Sequence, residues 1–192
     1  MDLQGKKLIL CSASPRRREL LKGLDIDFEV DTGTLFKENL SPGMPHCEIP
    51  ALMSQGKSHG FHRDLKEGEI LITSDTMVLC GEVALGKPHS HDEAVRMLKK
   101  LSGNEHTVVT AVTIRDAHKE ETFTDTTRVH LRKLEDAEID YYIDKYKPYD
   151  KAGAYGVQEW IGYVGITGIE GSFYTVMGFP VLRVYQELQK FL

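Results

Sequence analysis

Only three cysteines stand in the 192 residues, Cys11, Cys47 and Cys80, irregularly spaced and without a CxxC pair. That pattern excludes a zinc ribbon or a dithiol redox motif and points to a reducing interior. Cys11 and Cys80 end apolar runs, the usual setting of small buried hydrophobes. No run approaches the ~20 consecutive apolar residues of a membrane span. The opening MDLQGKKLILC has too short an apolar part for a secretory signal and leads directly into arginines. A soluble, cytoplasmic protein with no membrane partner is expected. Also missing are GxxxxGK[ST], HExxH and GxSxG, which sets aside a P-loop nucleotidase, a zinc protease and a serine-triad hydrolase. Positive charge is short overall: 24 Lys and Arg stand against 29 Asp and Glu, for a net charge of −5. No general field for nucleic acid exists, so any cationic site is local.

Short β-rich runs alternate with helical patterns, which predicts an α/β architecture. Residues 7–12 read as a buried strand; Ser14 then caps a helix with Pro15 at its first position and Gly23 as its stop. Residues 31–48 read as a surface loop, followed by a helix from about Pro50 to His62. Residues 69–80 form a β-branched run interrupted by Ser74, Asp75 and Thr76, with EVALG as hairpin partner. Ser90 and Glu93 predict a capping box for a helix stopped at Gly103. Residues 106–116 and 121–134 alternate as two strands, and Ile139, Tyr142, Ile143 and Tyr146 form a core stripe on the next helix. Residues 151–180 are glycine-rich, suited to tight connections and to close approach of a ligand. Pro180 opens a final helix. No repeat, low-complexity segment or linker appears, which predicts one compact unit of two lobes.

The arginines of SASPRRREL concentrate the chemistry. A helix N-terminus already carries unpaired N–H groups and positive dipole, so Arg16 and Arg17 in its first turn disfavour the helix unless an anion binds there. Phosphate binding is favoured for that pair, whereas Arg18 reads equally as a solvated side chain. Asp75 lies between ILIT and MVL, where a carboxylate is costly unless exposed or paired. Structural pairing and catalysis are equally good readings of it, and Thr76 is ambiguous in the same way. Lys57 in SQGKS and Lys87 in LGKPH read singly as solvated groups. The eight histidines show no ligand spacing.

Taken together, SASPRRREL, SDTMV, LGKPHSHDEAVRMLKKLSGNEHTVVTAV and YDKAGAYGVQ occur in an order that resembles the Maf-like nucleoside triphosphate pyrophosphatases over nearly the whole chain. The resemblance implies a single Maf-like domain over 1–192. Its implied fold is a twisted mixed sheet flanked by helices, with two lobes and a central cleft. It also implies hydrolysis of a nucleoside triphosphate between the α and β phosphates with a divalent metal, Mg²⁺ or Mn²⁺. By motif position, Ser12, Arg16, Arg17, Lys57 and Lys87 match substrate contacts, Asp75 the catalytic base, and Glu38 with Asp75 the metal ligands.

Gln158 in AYGVQ resembles the subgroup acting on dTTP and UTP, with Arg16 and Thr76 as further specificity positions. A primary amide can match N3–H and O4 of thymine or uracil. Three positions depart from the pattern: Lys37 stands beside Glu38, Glu159 occupies a usual glycine position, and Phe179 a usual leucine one. The expectation is a dTTP/UTP pyrophosphatase acting in nucleotide-pool sanitation, a homodimer by analogy. The alternative is a nucleotide-binding regulator of septum formation with little catalysis.

Overall fold

The computed structural model describes residues 2–37 and 43–192. Among these residues, seven strands make one sheet: β1 (Lys7–Leu10), β2 (Glu29–Val30), β3 (Glu69–Cys80), β4 (Val83–Leu85), β5 (Glu105–Arg115), β6 (Glu120–Leu131) and β7 (Ile166–Glu170). Their order is β2-β1-β3-β5-β6-β7, with β4 hydrogen-bonded to β3 off that path. β1 runs parallel to β2 and β3, whereas β3–β4 and β6–β7 are antiparallel, so the sheet is mixed. Among the described residues, seven α-helices accompany it: α1 (Pro15–Lys22), α2 (Ile49–His59), α3 (His91–Leu101), α4 (Asp136–Tyr146), α5 (Trp160–Gly165), α6 (Phe173–Val176) and α7 (Val181–Leu188).

Local chemistry accounts for the helix starts. Ser14 is extended and its side chain accepts from Arg17 N, with Pro15 inside the first turn, as expected. Ser90 caps α3 by accepting from Glu93 N. The expected capping box is altered, because the Glu93 carboxylate accepts from the main-chain N–H of His89 instead of Ser90. The second predicted helix is shorter than expected, ending at His59 with Gly60 N–H bonded to Gly56 O. The β-branched run of residues 69–80 is one strand, β3, with its polar interruption Ser74, Asp75 and Thr76 inside it. The glycine-rich stretch also contains two short helices, α5 and α6, as well as β7.

The chain divides into two compact units. The first comprises residues 1–75, 110–125 and 178–192. Its core joins Leu8 and Leu10 of β1, Leu21 of α1, Ile70 and Ile72 of β3, Val112 and Ile114 of β5, and Val184 and Leu188 of α7. Each such aliphatic side chain, fully buried, contributes about 1.5–3 kcal/mol. The second unit comprises residues 76–109 and 126–177. Its core gathers Leu98 and Leu101 of α3, Val129 and Leu131 of β6, and Ile139, Tyr142 and Ile143 of α4. The predicted stripe on α4 is therefore core, although Tyr146 is only partly buried.

Buried hydroxyls seat α2 in the first unit. Ser54 Oγ lies 3.0 Å from Thr113 Oγ1 and 3.2 Å from the Thr73 carbonyl, while Thr73 Oγ1 donates to Ser54 O at 2.7 Å. Thr113 Oγ1 in turn lies 2.9 Å from Thr122 Oγ1. Buried hydroxyls without partners are costly, so this set ties the helix to β3 and β5 in one register.

Candidate active site

The first unit brings Arg17, Lys57 and Asp75 together at the middle of β3. α2 presents Lys57 one turn after Ser54, and Lys57 Nζ contacts Asp75 Oδ1 at 2.5 Å. Both side chains remain partly exposed, at 24% and 20%. This pairing explains how a carboxylate is accommodated inside a continuous strand: the cation from α2 offsets its desolvation. Of the readings left open for Asp75, pairing is therefore present, in a form that leaves the carboxylate reachable from solvent.

Arg17 of α1 meets β3 just before Asp75. Its Nε donates to the Gly178 carbonyl at 2.9 Å and its Nη1 to the Ser74 carbonyl at 2.8 Å. Burial pushes the guanidinium pKa down to about 10; the Asp75 charge opposes that fall and the Arg16 charge adds to it. It still carries its charge at neutral pH. Two of its nitrogens are committed to main-chain oxygens, so Arg17 braces the β3 backbone as well as adding positive charge beside Asp75. Ser12 is buried, and its hydroxyl accepts from Ser14 N–H at 3.2 Å, shaping the turn before α1. Arg16 is partly exposed on the first turn of that helix.

Glu38, one of the two expected metal ligands, lies outside the described residues. The segment leading to it packs on the helix that carries Lys57. Phe36 lies so close to Gly56 and Gly60 that a Cβ on either would fall within 2.2–2.7 Å of its atoms.

The second unit holds Thr76, Lys87 and Gln158. Lys87 is exposed in the segment after β4, and its neighbour Gly86 accepts from Gly153 N–H at 3.0 Å. Gly153 has φ +71°, and a Cβ there would sit 3.1–3.3 Å from the Val78 side chain. Glycine is thus required where the Lys87 segment is tied to the chain leading to Gln158. Thr76 is partly exposed on β3. The Gln158 amide oxygen is buried with no hydrogen-bond partner among the described residues. A desolvated acceptor without a donor is uncommon and fits a ligand N–H.

Sequence reasoning missed the groups that support these residues. Ser54, Thr73 and Thr113 carry no local motif, and only the i, i+3 spacing from Ser54 to Lys57 hints at a shared role. Tyr142, read as core, also uses its hydroxyl. Lys151 is buried and contacts Asp150 at 2.8 Å and Glu159 at 3.1 Å, although a lysine in a glycine-rich stretch gives little sign of that.

Among the described residues, one group combines side chains at metal-ligand distance: Glu105, His130 and Glu170. It shares no residue with the predicted site. His130 lies 3.5 Å from Glu105 and 3.0 Å from Glu170, and Arg128 also pairs with Glu170, which makes it a surface ion-pair cluster complete in itself.

Comparison with known proteins defines the class. A family model described as "Maf-like protein" matches residues 7–191. The chain belongs to the Maf family. Curated relatives include a protein of Parabacteroides distasonis, 47% identical over 190 residues, covering 99% of this chain and 98% of the relative. A protein of Phocaeicola vulgatus is 46% identical, covering 98% of each chain. One from Bacteroides thetaiotaomicron is 44% identical with the same coverage. All three bear the name dTTP/UTP pyrophosphatase. Among solved structures, a HAM1 protein from Coxiella burnetii shares the fold at 10% identity, with a TM-score of 0.50 over 96% of this chain and 99% of that one.

Proposed function

We propose that this protein is a dTTP/UTP pyrophosphatase, releasing pyrophosphate and the nucleoside monophosphate. The observation that carries the reading is the Lys57–Asp75 contact at 2.5 Å beside the guanidinium of Arg17, in a chain 47% identical to a protein of that name. A triphosphate carries close to four negative charges, and breaking its α–β anhydride places further charge on the departing pyrophosphate. Lys57, Arg16, Arg17 and Lys87 supply the compensating positive charge. Asp75 takes a proton from water as its oxygen attacks the α phosphorus; the bond from that phosphorus to the bridging oxygen breaks, and its electrons leave with pyrophosphate.

The donor set also suits a hard divalent cation. Asp75 has a carboxylate oxygen beyond the one that Lys57 contacts, and the substrate contributes phosphate oxygens of the same hard type. Asp75, with Glu38, would hold Mg²⁺ or Mn²⁺, which when bound neutralises phosphate charge. The base is read by Gln158: its buried, unpartnered acceptor suits the N3–H of thymine or uracil, and its NH₂ suits O4. Arg16 and Thr76 complete the specificity set.

The proposed substrate is small and anionic, and neither nucleic acid nor membrane is part of this reading. No helix among the described residues is long and apolar enough to cross a membrane, and the three cysteines are free; the proposed setting is the cytoplasm. Pool sanitation as a homodimer within a single 1–192 domain completes the reading. Pyrophosphate release from dTTP, UTP, CTP and 7-methyl-GTP, measured with Mg²⁺ and Mn²⁺ in parallel, tests it. dTTP and UTP are expected to lead; nucleotide binding without release from any of them would favour a regulator instead.

A further inference from the structure

Gln158 sits in a four-residue turn closed by a hydrogen bond from Glu159 N–H to Gly156 O at 3.0 Å. A reader of hydrogen-bond patterns must be held still, and a turn in a glycine-rich stretch has little intrinsic stiffness. Both ends of this turn meet one atom. The hydroxyl of Tyr142, from α4, accepts from Gly156 N–H at 3.0 Å and donates to the Glu159 carboxylate. Lys151 Nζ contacts the other oxygen of that carboxylate at 3.1 Å.

We propose that Tyr142, with Glu159 and Lys151, is a positioning clamp that presents the Gln158 amide to the nucleobase. The inference rests on the reading of Gln158 as base reader given above. Glycine at 156 is part of the device: a Cβ there would lie 2.9 Å from Glu159 Cδ and 3.1 Å from Lys151 Cε, inside the clamp. The Tyr142 ring is wholly buried in the second core, so its hydroxyl has a fixed address. Burial and the neighbouring Glu159 carboxylate push the phenol pKa up, which keeps it a donor at working pH. The carboxylate at 159, where a glycine is usual in the resembling family, thus gives the turn an anchor on its side-chain face.

Tyr142→Phe removes one oxygen and leaves the packed ring. The test compares kcat/KM for UTP and CTP in the parent, Y142F, Gln158→Ala and the double variant, with thermal midpoints measured alongside. Y142F is expected to cut the UTP-over-CTP ratio about tenfold, chiefly through a higher KM for UTP, the scale of one lost positioning hydrogen bond. Q158A should cut the ratio at least as far, and the double variant no further, because the tyrosine acts through the glutamine. A purely structural tyrosine would lower the midpoint and scale both substrates equally. If Q158A lowers the ratio and Y142F leaves it unchanged, the clamp is refuted while the base reader stands. If Q158A itself leaves the ratio unchanged, the base-reader reading falls and the clamp with it. Should Y142F not fold, Glu159→Gln weakens the same clamp without removing the tyrosine and is read by the same ratio.

Discussion

The two units hold their important side chains in different ways. In the first, Lys57 and Asp75 come from separate elements, α2 and β3, and meet because buried hydroxyls tie α2 to β3, while Arg17 of α1 braces the β3 backbone. In the second, Gln158 rides on a short turn, and a single tyrosine hydroxyl contacts that turn at both ends. Charge chemistry tolerates the first arrangement, since Coulomb attraction varies slowly with position. Base reading needs the second, because hydrogen bonds weaken steeply with angle. Damage at Lys57 or Asp75 should therefore lower turnover for every nucleotide, whereas damage at the turn should change the choice among them.

The largest expected effect is at Asp75. Asp75→Asn keeps the fold and dTTP binding and lowers kcat by about 10²–10⁴-fold, the scale of a lost general base, equally for dTTP and UTP. Stopped assays with each substrate and a separate binding titration check this; parent-level turnover would remove Asp75 from the chemistry. Lys57→Met comes next, with kcat/KM down about 10²–10³-fold and the UTP-over-CTP ratio unchanged. A changed ratio would erase the proposed division of labour.

A pH-dependent stability change should mark the second unit. His106 is buried against the Tyr155 hydroxyl, 2.6 Å away, and its Nδ1 has no partner among the described residues. Burial, with a smaller push from the His130 charge, brings its pKa from the usual 6.5 down to about 4. The unfolded chain then binds the extra proton first, so stability is complete above pH 6.5 and falls as pH drops from there toward 4. The loss reaches up to about 3 kcal/mol. Denaturant unfolding across that range should show the slope in the parent and a flatter profile in His106→Gln. The smallest effect belongs to Ser54→Ala, which leaves the buried Thr113 hydroxyl short of a partner and costs about 1–2 kcal/mol in the first unit, read as a shifted denaturation midpoint.

Much of this organisation was legible in order along the chain, and the reasons are local. Ser14-Pro15 and Ser90 act within one helical turn, so capping rules locate α1 and α3. Alternation located β5 and β6, whose pattern needs only neighbours two residues apart, and a β-branched apolar run located β3. The misreadings arose where a distant partner decides. Asp75 looks like a break in β3 until Lys57, 18 positions earlier, is brought against it. Tyr142 fits an apolar stripe, and only the fold reveals that its hydroxyl is used 14 residues further on. Nothing near Arg17 in the chain signals that two of its nitrogens hold the main-chain carbonyls of residues 74 and 178. Glycines at 162 and 165 disguised α5, a short helix whose Ile161 is buried in the second core.

The attack at the α phosphorus can be followed directly by running dTTP hydrolysis in ¹⁸O-labelled water and weighing both products. The account predicts one labelled oxygen in thymidine monophosphate and unlabelled pyrophosphate. Label in the pyrophosphate, or release of orthophosphate in its place, would contradict it.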